Sequence, residues 1–166
     1  MATISLRGEA IETNGALPKV GDQAPDFLLV DAKLCDRTLA DYVGKKKIIS
    51  IVPSLDTPVC AESTRRFNDF AADRNDFVML VVSADLPFAQ GRFCGKEKLK
   101  SVVTLSMMRS RRFAKAYGVL MLDGPLAGLT ARAVVVLDEN DTVLYTELSA
   151  DLTREPDYAS AVAALQ

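Results

Sequence analysis

The apolar positions sort the chain into elements. Ile48-Ile49-Ser50-Ile51-Val52 and Phe77-Val78-Met79-Leu80-Val81-Val82-Ser83 are apolar at nearly every position. That is the pattern of strands covered on both faces, as in a parallel central sheet. Between them, residues 61–71 place Phe67, Phe70 and Ala71 at i, i+3, i+4 spacing on one helical face. The three segments predict a strand–helix–strand unit, with a right-handed crossover expected.

The flanking sequence adds shorter elements. Residues 3–13 carry two alternating segments around Arg7-Gly8, a β-hairpin pattern, and Asn14-Gly15 is a turn. Residues 17–25 are an extended Pro/Gly-rich lead-in to a strand at 27–30, and residues 38–42 read as a turn or helical piece. After Ser83, Asp85 is a candidate cap and Pro87 a candidate first residue of a helix ending at Gly95. A strand is expected at 102–105, a helix over 111–117 ended by Gly118, and a Gly/Pro loop over 121–129. Strands at 131–138 and 142–148 flank the turn Glu139-Asn140-Asp141, and residues 156–165 form a closing helix with Tyr158, Val162 and Leu165 on one side. No repeat, low-complexity segment or linker interrupts the order. The expectation is one α/β domain over residues 1–166 with a mixed central sheet flanked by helices. This is a three-layer, thioredoxin-like arrangement, with residues 1–17 added as an N-terminal hairpin of the same domain.

Composition narrows the function. Apolar residues make up 49% and charged residues 25% of the 166-residue chain, ordinary for a globular protein with a real core. A net charge of −2 gives no electrostatic reason to expect nucleic acid or an anionic membrane. Lys45-Lys46-Lys47 is the one basic run and reads as a solvated start of a strand. No apolar stretch approaches the ~20 residues of a membrane span, and the first residues lack the apolar core of a signal peptide. The expected compartment is the cytoplasm, where paired cysteines are more often catalytic than structural. There is no histidine, so no Cys-His or Ser-His pair exists and soft metal ligands are few. No metal or other cofactor is implied. There is also no C-x-x-C among the three cysteines, Cys35, Cys60 and Cys94.

Cys60 has the most informative setting. In Val52-Pro53-Ser54-Leu55-Asp56-Thr57-Pro58-Val59-Cys60, Thr57 is a good N-cap and Pro58 fits the first helical position. Cys60 then falls in the polar first turn of a helix, where free backbone N–H groups favour a thiolate. An ordinary thiol with pKa ~8.5 is only about 3% thiolate at pH 7, and bringing such a group to about 6 takes roughly 3.4 kcal/mol. A helix terminus supplies at most ~2 kcal/mol. The rest requires hydrogen bonds and a cation, a task suited to a permanently charged arginine.

The octapeptide Pro53 to Cys60 resembles the peroxiredoxin pattern P-x-x-x-T-x-x-C. Over essentially its full length the chain is similar to the bacterial thiol peroxidases, the atypical two-cysteine peroxiredoxins. The resemblance extends through Ser83-Ala84-Asp85-Leu86-Pro87-Phe88-Ala89-Gln90, Arg92-Phe93-Cys94, Tyr117-Gly118-Val119, Gly124-Pro125-Leu126, the strand from Ala131 through Arg132 to Asp138, and Glu155-Pro156-Asp157-Tyr158. It implies that Cys60 is the peroxidatic cysteine, that Pro53 shields it, that Thr57 hydrogen-bonds thiolate and substrate, and that Arg132 supplies positive charge. It implies Cys94 as resolving cysteine in a Cys60–Cys94 disulfide, thioredoxin as reductant, hydrogen peroxide and alkyl or lipid hydroperoxides as substrates, and a homodimer. Cys35 has no counterpart in that scheme and reads as a spare thiol, with pairing to Cys60 as the rival assignment. Met107, Met108, Leu120 and Met121 are candidates to line a site for organic peroxides, against an ordinary packing role. The leading function is a peroxidase. The alternative is a redox sensor that uses the same Cys60 oxidation to switch a surface without efficient turnover, and an inert scaffold is the third reading.

Overall fold

The computed structural model describes residues 1–166. The chain begins β1 (Thr3–Leu6), β2 (Glu9–Glu12), β3 (Leu29–Val30), β4 (Asp36–Arg37), a 3-10 turn (Leu39–Tyr42), β5 (Lys46–Ile51), α1 (Pro58–Ala72) and β6 (Phe77–Ser83). It continues α2 (Pro87–Glu97), β7 (Val103–Ser106), α3 (Arg112–Ala116), β8 (Ala133–Leu137), β9 (Val143–Leu148) and α4 (Tyr158–Ala163). A seven-stranded sheet has the order β4-β3-β7-β6-β5-β8-β9, and β1 and β2 form a separate hairpin. β5, β6 and β7 are parallel; β8 lies antiparallel to β5, and β9 antiparallel to β8.

Strand alternation divides the core in two. Ile48, Met79, Val81, Val134 and Val136 join Phe67 and Ala71 of α1 and Tyr158 and Ala161 of α4 on one side. Ile49, Ile51, Leu80, Val82, Val135 and Leu137 join Ile4 and Ile11 of the hairpin and Phe113 of α3 on the other. These clusters make the three layers expected from the pattern.

The register decides what meets at the site. β5 and β6 run in parallel, with Ile51 opposite Val82, so both strands deliver their following loops to the same edge. Ligand sites of open α/β sheets gather at such carboxyl ends. β8 runs the other way, with Ala133 opposite Ile51, so its beginning arrives at the end of β5. Arg132, one residue earlier, is thereby carried to the loop that leads into Cys60.

Several sequence expectations need correction. The strand at 27–30 shrinks to Leu29–Val30, because the Phe27 N–H donates to the Asp26 side chain at 2.8 Å instead of joining a ladder. β4 was not anticipated; it pairs with β3 and is fixed by the Arg37–Asp31 ion pair at 2.8 Å. Lys47 is not a solvated residue but is fully buried, and its ammonium pairs with the Asp141 carboxylate in the β8–β9 turn. Asp85 does not cap α2: Leu86 holds that position, and the helix passes Gly95 to Glu97. The closing helix is shorter than expected because Asp157 caps it, accepting from the Ser160 N–H at 3.0 Å. Gly118 does terminate the α3 region, at φ +69°, where an added Cβ would lie 2.2 Å from the Ala16 carbonyl oxygen.

Candidate active site

Cys60 is the third residue of α1, after Thr57 at the N-cap and Pro58 at the first helical position. Ala61 donates to the Thr57 carbonyl at 2.9 Å and so starts the helical ladder, one residue beyond Cys60. The surroundings are less polar than the sequence suggests. Cys60 has no exposed surface and sits in the core cluster with Val52 and Leu55.

The charge reaches it from the sheet. Arg132 is 3% exposed, and its Nη1 donates to Cys60 Sγ at 3.3 Å. Its Nη2 donates to the Leu152 carbonyl at 2.9 Å, and its Nε–H has no partner. Leaving a buried donor unpaired costs about 1–3 kcal/mol, so this N–H is a standing demand for an acceptor. Two further bonds fix the chain at the arginine and two residues before it. Ser149 N–H donates to the Arg132 carbonyl at 2.9 Å, and the buried Thr130 hydroxyl donates to the Val52 carbonyl at 3.0 Å.

Thr57 stands at the predicted start of α1 but turns its side chain elsewhere. It occupies the N-cap position, yet its side chain accepts no helix N–H. Its hydroxyl proton goes to the Ser54 carbonyl at 2.8 Å rather than toward the cysteine. The residue closes the 54–57 turn, and its oxygen remains free to accept. Pro53 is buried at the start of that turn.

A cavity of about 560 Å³ lies against this arrangement, walled by Pro53, Thr57, Pro58, Val59 and Arg132 from the Cys60 side. Its opposite wall includes Leu6 and Arg7 from the hairpin tip, Pro125 and Leu126 from the loop, and Leu152. The hairpin is held there by backbone bonds from Ser5 N–H to the Ala150 carbonyl (2.8 Å) and from Leu152 N–H to the Ser5 carbonyl (2.9 Å). Sequence reasoning missed these walls. Of Met107, Met108, Leu120 and Met121, which the sequence offers either as such a wall or as packing, none lines this cavity; Met107 and Met121 are 1% exposed core residues and Leu120 packs against that core, which is the packing role. Only pairing between segments far apart in sequence reveals Leu6 and Leu152.

Neither Cys94 nor Cys35 is bonded to Cys60. All three cysteines are unpaired thiols. Cys94 is half-buried in the last turn of α2, and burial pushes its thiol up. Cys35 is exposed at the far edge of the sheet, beside β4. No group of three His, Cys, Asp or Glu side chains is placed to hold a metal ion, and no helix is long and apolar enough to cross a membrane.

Residues 19–164 match the Redoxin family model. Thiol peroxidases from two serovars of Leptospira interrogans are each 49% identical over 166 residues, an alignment covering 99% of this chain and 97% of theirs. A peroxiredoxin-like protein from Aquifex aeolicus superposes with a TM-score of 0.93 at 38% identity, covering 99% of this chain and 96% of the other. The thiol peroxidase from Chromobacterium violaceum gives 0.91 at 28% identity, covering 99% and 95%. The hairpin lies outside the Redoxin match but inside these nearly full-length alignments, so it is part of what the chain shares with them.

Proposed function

The chain belongs to the redoxin family, among its thiol peroxidases, and from that premise we propose that Cys60 is the sulfur that reduces the peroxide. The carrying observation is the Arg132 guanidinium: Arg132 lines the cavity and donates to Cys60 Sγ through one N–H, while its Nε–H is buried without a partner. The guanidinium sets a positive charge against the sulfur that must attack. The Cys60 sulfur attacks the terminal oxygen of the hydroperoxide; an S–O bond forms, the O–O bond breaks, and the leaving oxygen takes a proton to become water or an alcohol. Negative charge builds on both peroxide oxygens during that step. Cys60 and the Nε–H are both closed off from solvent, so peroxide meets them as the pocket opens, and the unpartnered Nε–H then offers a donor to one of these oxygens. Pro53 and the 54–57 turn keep bulk water from the sulfur.

The sulfenic acid at Cys60 then condenses with the Cys94 thiol, expelling water and forming an internal disulfide. A dithiol protein, thioredoxin, reduces that bond by exchange. The cavity's apolar wall of Leu6, Leu126 and Leu152 suits alkyl or lipid hydroperoxides as well as hydrogen peroxide. The test is to add one equivalent of hydroperoxide to reduced protein and map disulfides by peptide mass spectrometry. A Cys60–Cys94 peptide is expected; oxidation confined to Cys35, or none, would overturn the reading.

Arg132→Met is expected to slow the first oxidation about 10- to 100-fold, since a hydrogen bond to a charged group contributes about 1.5–3 kcal/mol. Stopped-flow oxidation rates measure it, with Arg132→Lys as comparison. Lysine restores charge but not the fork that spans Cys60 and Leu152, so it should recover only part of the rate. An unchanged rate in Arg132→Met would remove this residue from the chemistry.

A further inference from the structure

Asp85 is left over once the helix it was expected to cap has found another residue. It follows β6 directly, and its carboxylate gathers three donors. Ser54 Oγ donates to Oδ1 at 2.7 Å; Leu55 N–H and Ser83 Oγ donate to Oδ2, each at 2.8 Å. Two of these donors belong to the turn that leads into Cys60. The third leads to α2. The fully buried Gln90 donates through Nε2 to Ser83 Oγ at 3.0 Å and to the Leu105 carbonyl at 3.1 Å.

The direction of this chain is fixed by chemistry. The Leu105 carbonyl can only accept, so the amide nitrogen of Gln90, not its oxygen, must face it. That nitrogen has only donors, so Ser83 accepts from Gln90 and passes its own proton to Asp85. The Ser106 hydroxyl holds the Asp85 backbone carbonyl at 2.5 Å. Asp85 is therefore anchored to the sheet through its backbone, while its carboxylate holds the turn before Cys60 directly and α2 through Ser83 and Gln90. Gln90 lies one helical turn before Cys94 on α2. The arrangement has an unequal member, since the Gln90 Oε1 is buried without a partner. Buried acceptors are seldom left so, which makes the α2 end of this network its least satisfied part.

We propose that Asp85 is a positioning residue for the peroxidase cycle: it latches the 54–57 turn in the closed form that presents Cys60 to peroxide, and through Ser83 and Gln90 it ties that closure to the folded state of the Cys94 helix. This rests on the Cys60–Cys94 chemistry proposed above. With the latch closed, the Cys60 sulfenic acid remains available to a second peroxide, which transfers an oxygen to give sulfinic acid and an alcohol. With the latch open, the sulfur leaves its pocket and α2 loosens, so condensation with Cys94 gains over further oxidation. One carboxylate thus sets both the speed of the first step and the partition of its product.

The experiment measures both quantities in Asp85→Asn and in the milder Ser54→Ala. Asparagine keeps the shape but offers one acceptor oxygen where the carboxylate offers two, so a donor loses its partner. Cys60 oxidation by stopped flow should slow about tenfold in Asp85→Asn, the size of one lost hydrogen bond to a charged group. In the same variant, the ratio of Cys60–Cys94 disulfide to Cys60 sulfinic acid after excess peroxide should rise at least about threefold, by the same reasoning applied to a partly opened turn. Ser54→Ala should move both readouts in the same directions by less. A slower first step with an unchanged ratio in the folded variants would show a merely structural residue and overturn the proposal, as would no change in either. Should Asp85→Asn not fold, the ratio in Ser54→Ala decides alone. Wild-type protein that forms no Cys60–Cys94 disulfide would instead defeat the underlying chemistry, which separates the two failures.

Discussion

Cys60→Ser is expected to lower peroxide turnover with thioredoxin, its reductase and NADPH by at least about a thousandfold, as removal of a reacting nucleophile does elsewhere. A serine hydroxyl at this position would face the same Arg132 guanidinium, 3.3 Å from the present sulfur. Yet stabilisation of a few kcal/mol cannot make an alkoxide near neutral pH. The substitution is close to isosteric and its oxygen can still accept from Arg132, so circular dichroism and thermal unfolding should stay near wild type. Residual activity above about a thousandth of wild type would place the nucleophile elsewhere, with the exposed Cys35 the first suspect. The wild-type control also separates the two functional readings. A sensor would show Cys60 oxidised by peroxide without sustained NADPH consumption, whereas a peroxidase consumes NADPH for as long as peroxide lasts.

The central unit was legible because its signals are local. Two apolar runs and an amphipathic helix define β5, α1 and β6, and Thr57-Pro58 marks the helix start within one residue. What escaped was set by contacts distant in sequence. Lys47 sits in a basic run that reads as solvated, and only Asp141, 94 positions later in the chain, makes its burial tolerable. Asp85 before Pro87 reads as a helix cap, but three donors from the neighbouring loop and strand outbid that use. Thr57 is legible as the N-cap, but its hydroxyl donates to the Ser54 carbonyl, because residue type fixes which bonds a hydroxyl can make but not which neighbour is nearer. The cavity wall from Leu6 and Leu152 depends on a parallel bridge between Ser5 and Asp151, and no periodicity announces such a pairing. The proximity of Arg132 to Cys60 follows from antiparallel register, which becomes clear only after the order of strands is known.

Cys94→Ser should separate the halves of the cycle. The first oxidation of Cys60 should keep its wild-type rate, because Cys94 does not line the cavity and makes no contact with Arg132. Thioredoxin-linked turnover should be lost, and Cys60 should pass through sulfenic to sulfinic acid under excess peroxide. Normal turnover in this variant would assign resolution to Cys35 or to a thiol of another chain. The deeper expectation concerns how Cys94 acts in the wild type. Burial pushes its thiol up, so little thiolate is present while α2 stays folded. The Cys94 carbonyl accepts from Leu99 N–H at 2.9 Å, closing the helix around Lys98 at φ 56°. Arg65 of α1 reaches Glu97 at 3.4 Å, and Asn68 accepts from Ser101 N–H at 2.9 Å. These ties fasten the end of α2 to α1 while the two sulfurs remain unpaired, and a disulfide requires Cα atoms within about 4.4–6.8 Å. The left-handed conformation at Lys98 costs a non-glycine residue about 1–2 kcal/mol, so this end of the helix is the natural place to give way. Hydrogen exchange on the reduced and disulfide forms tests it. After oxidation, exchange should quicken within residues 57–63 or 88–95 and stay unchanged in β5, β6 and β8. Identical protection in both forms, with the Cys60–Cys94 bond confirmed by mass, would mean that the disulfide forms within the folded helices and that no local unfolding is needed.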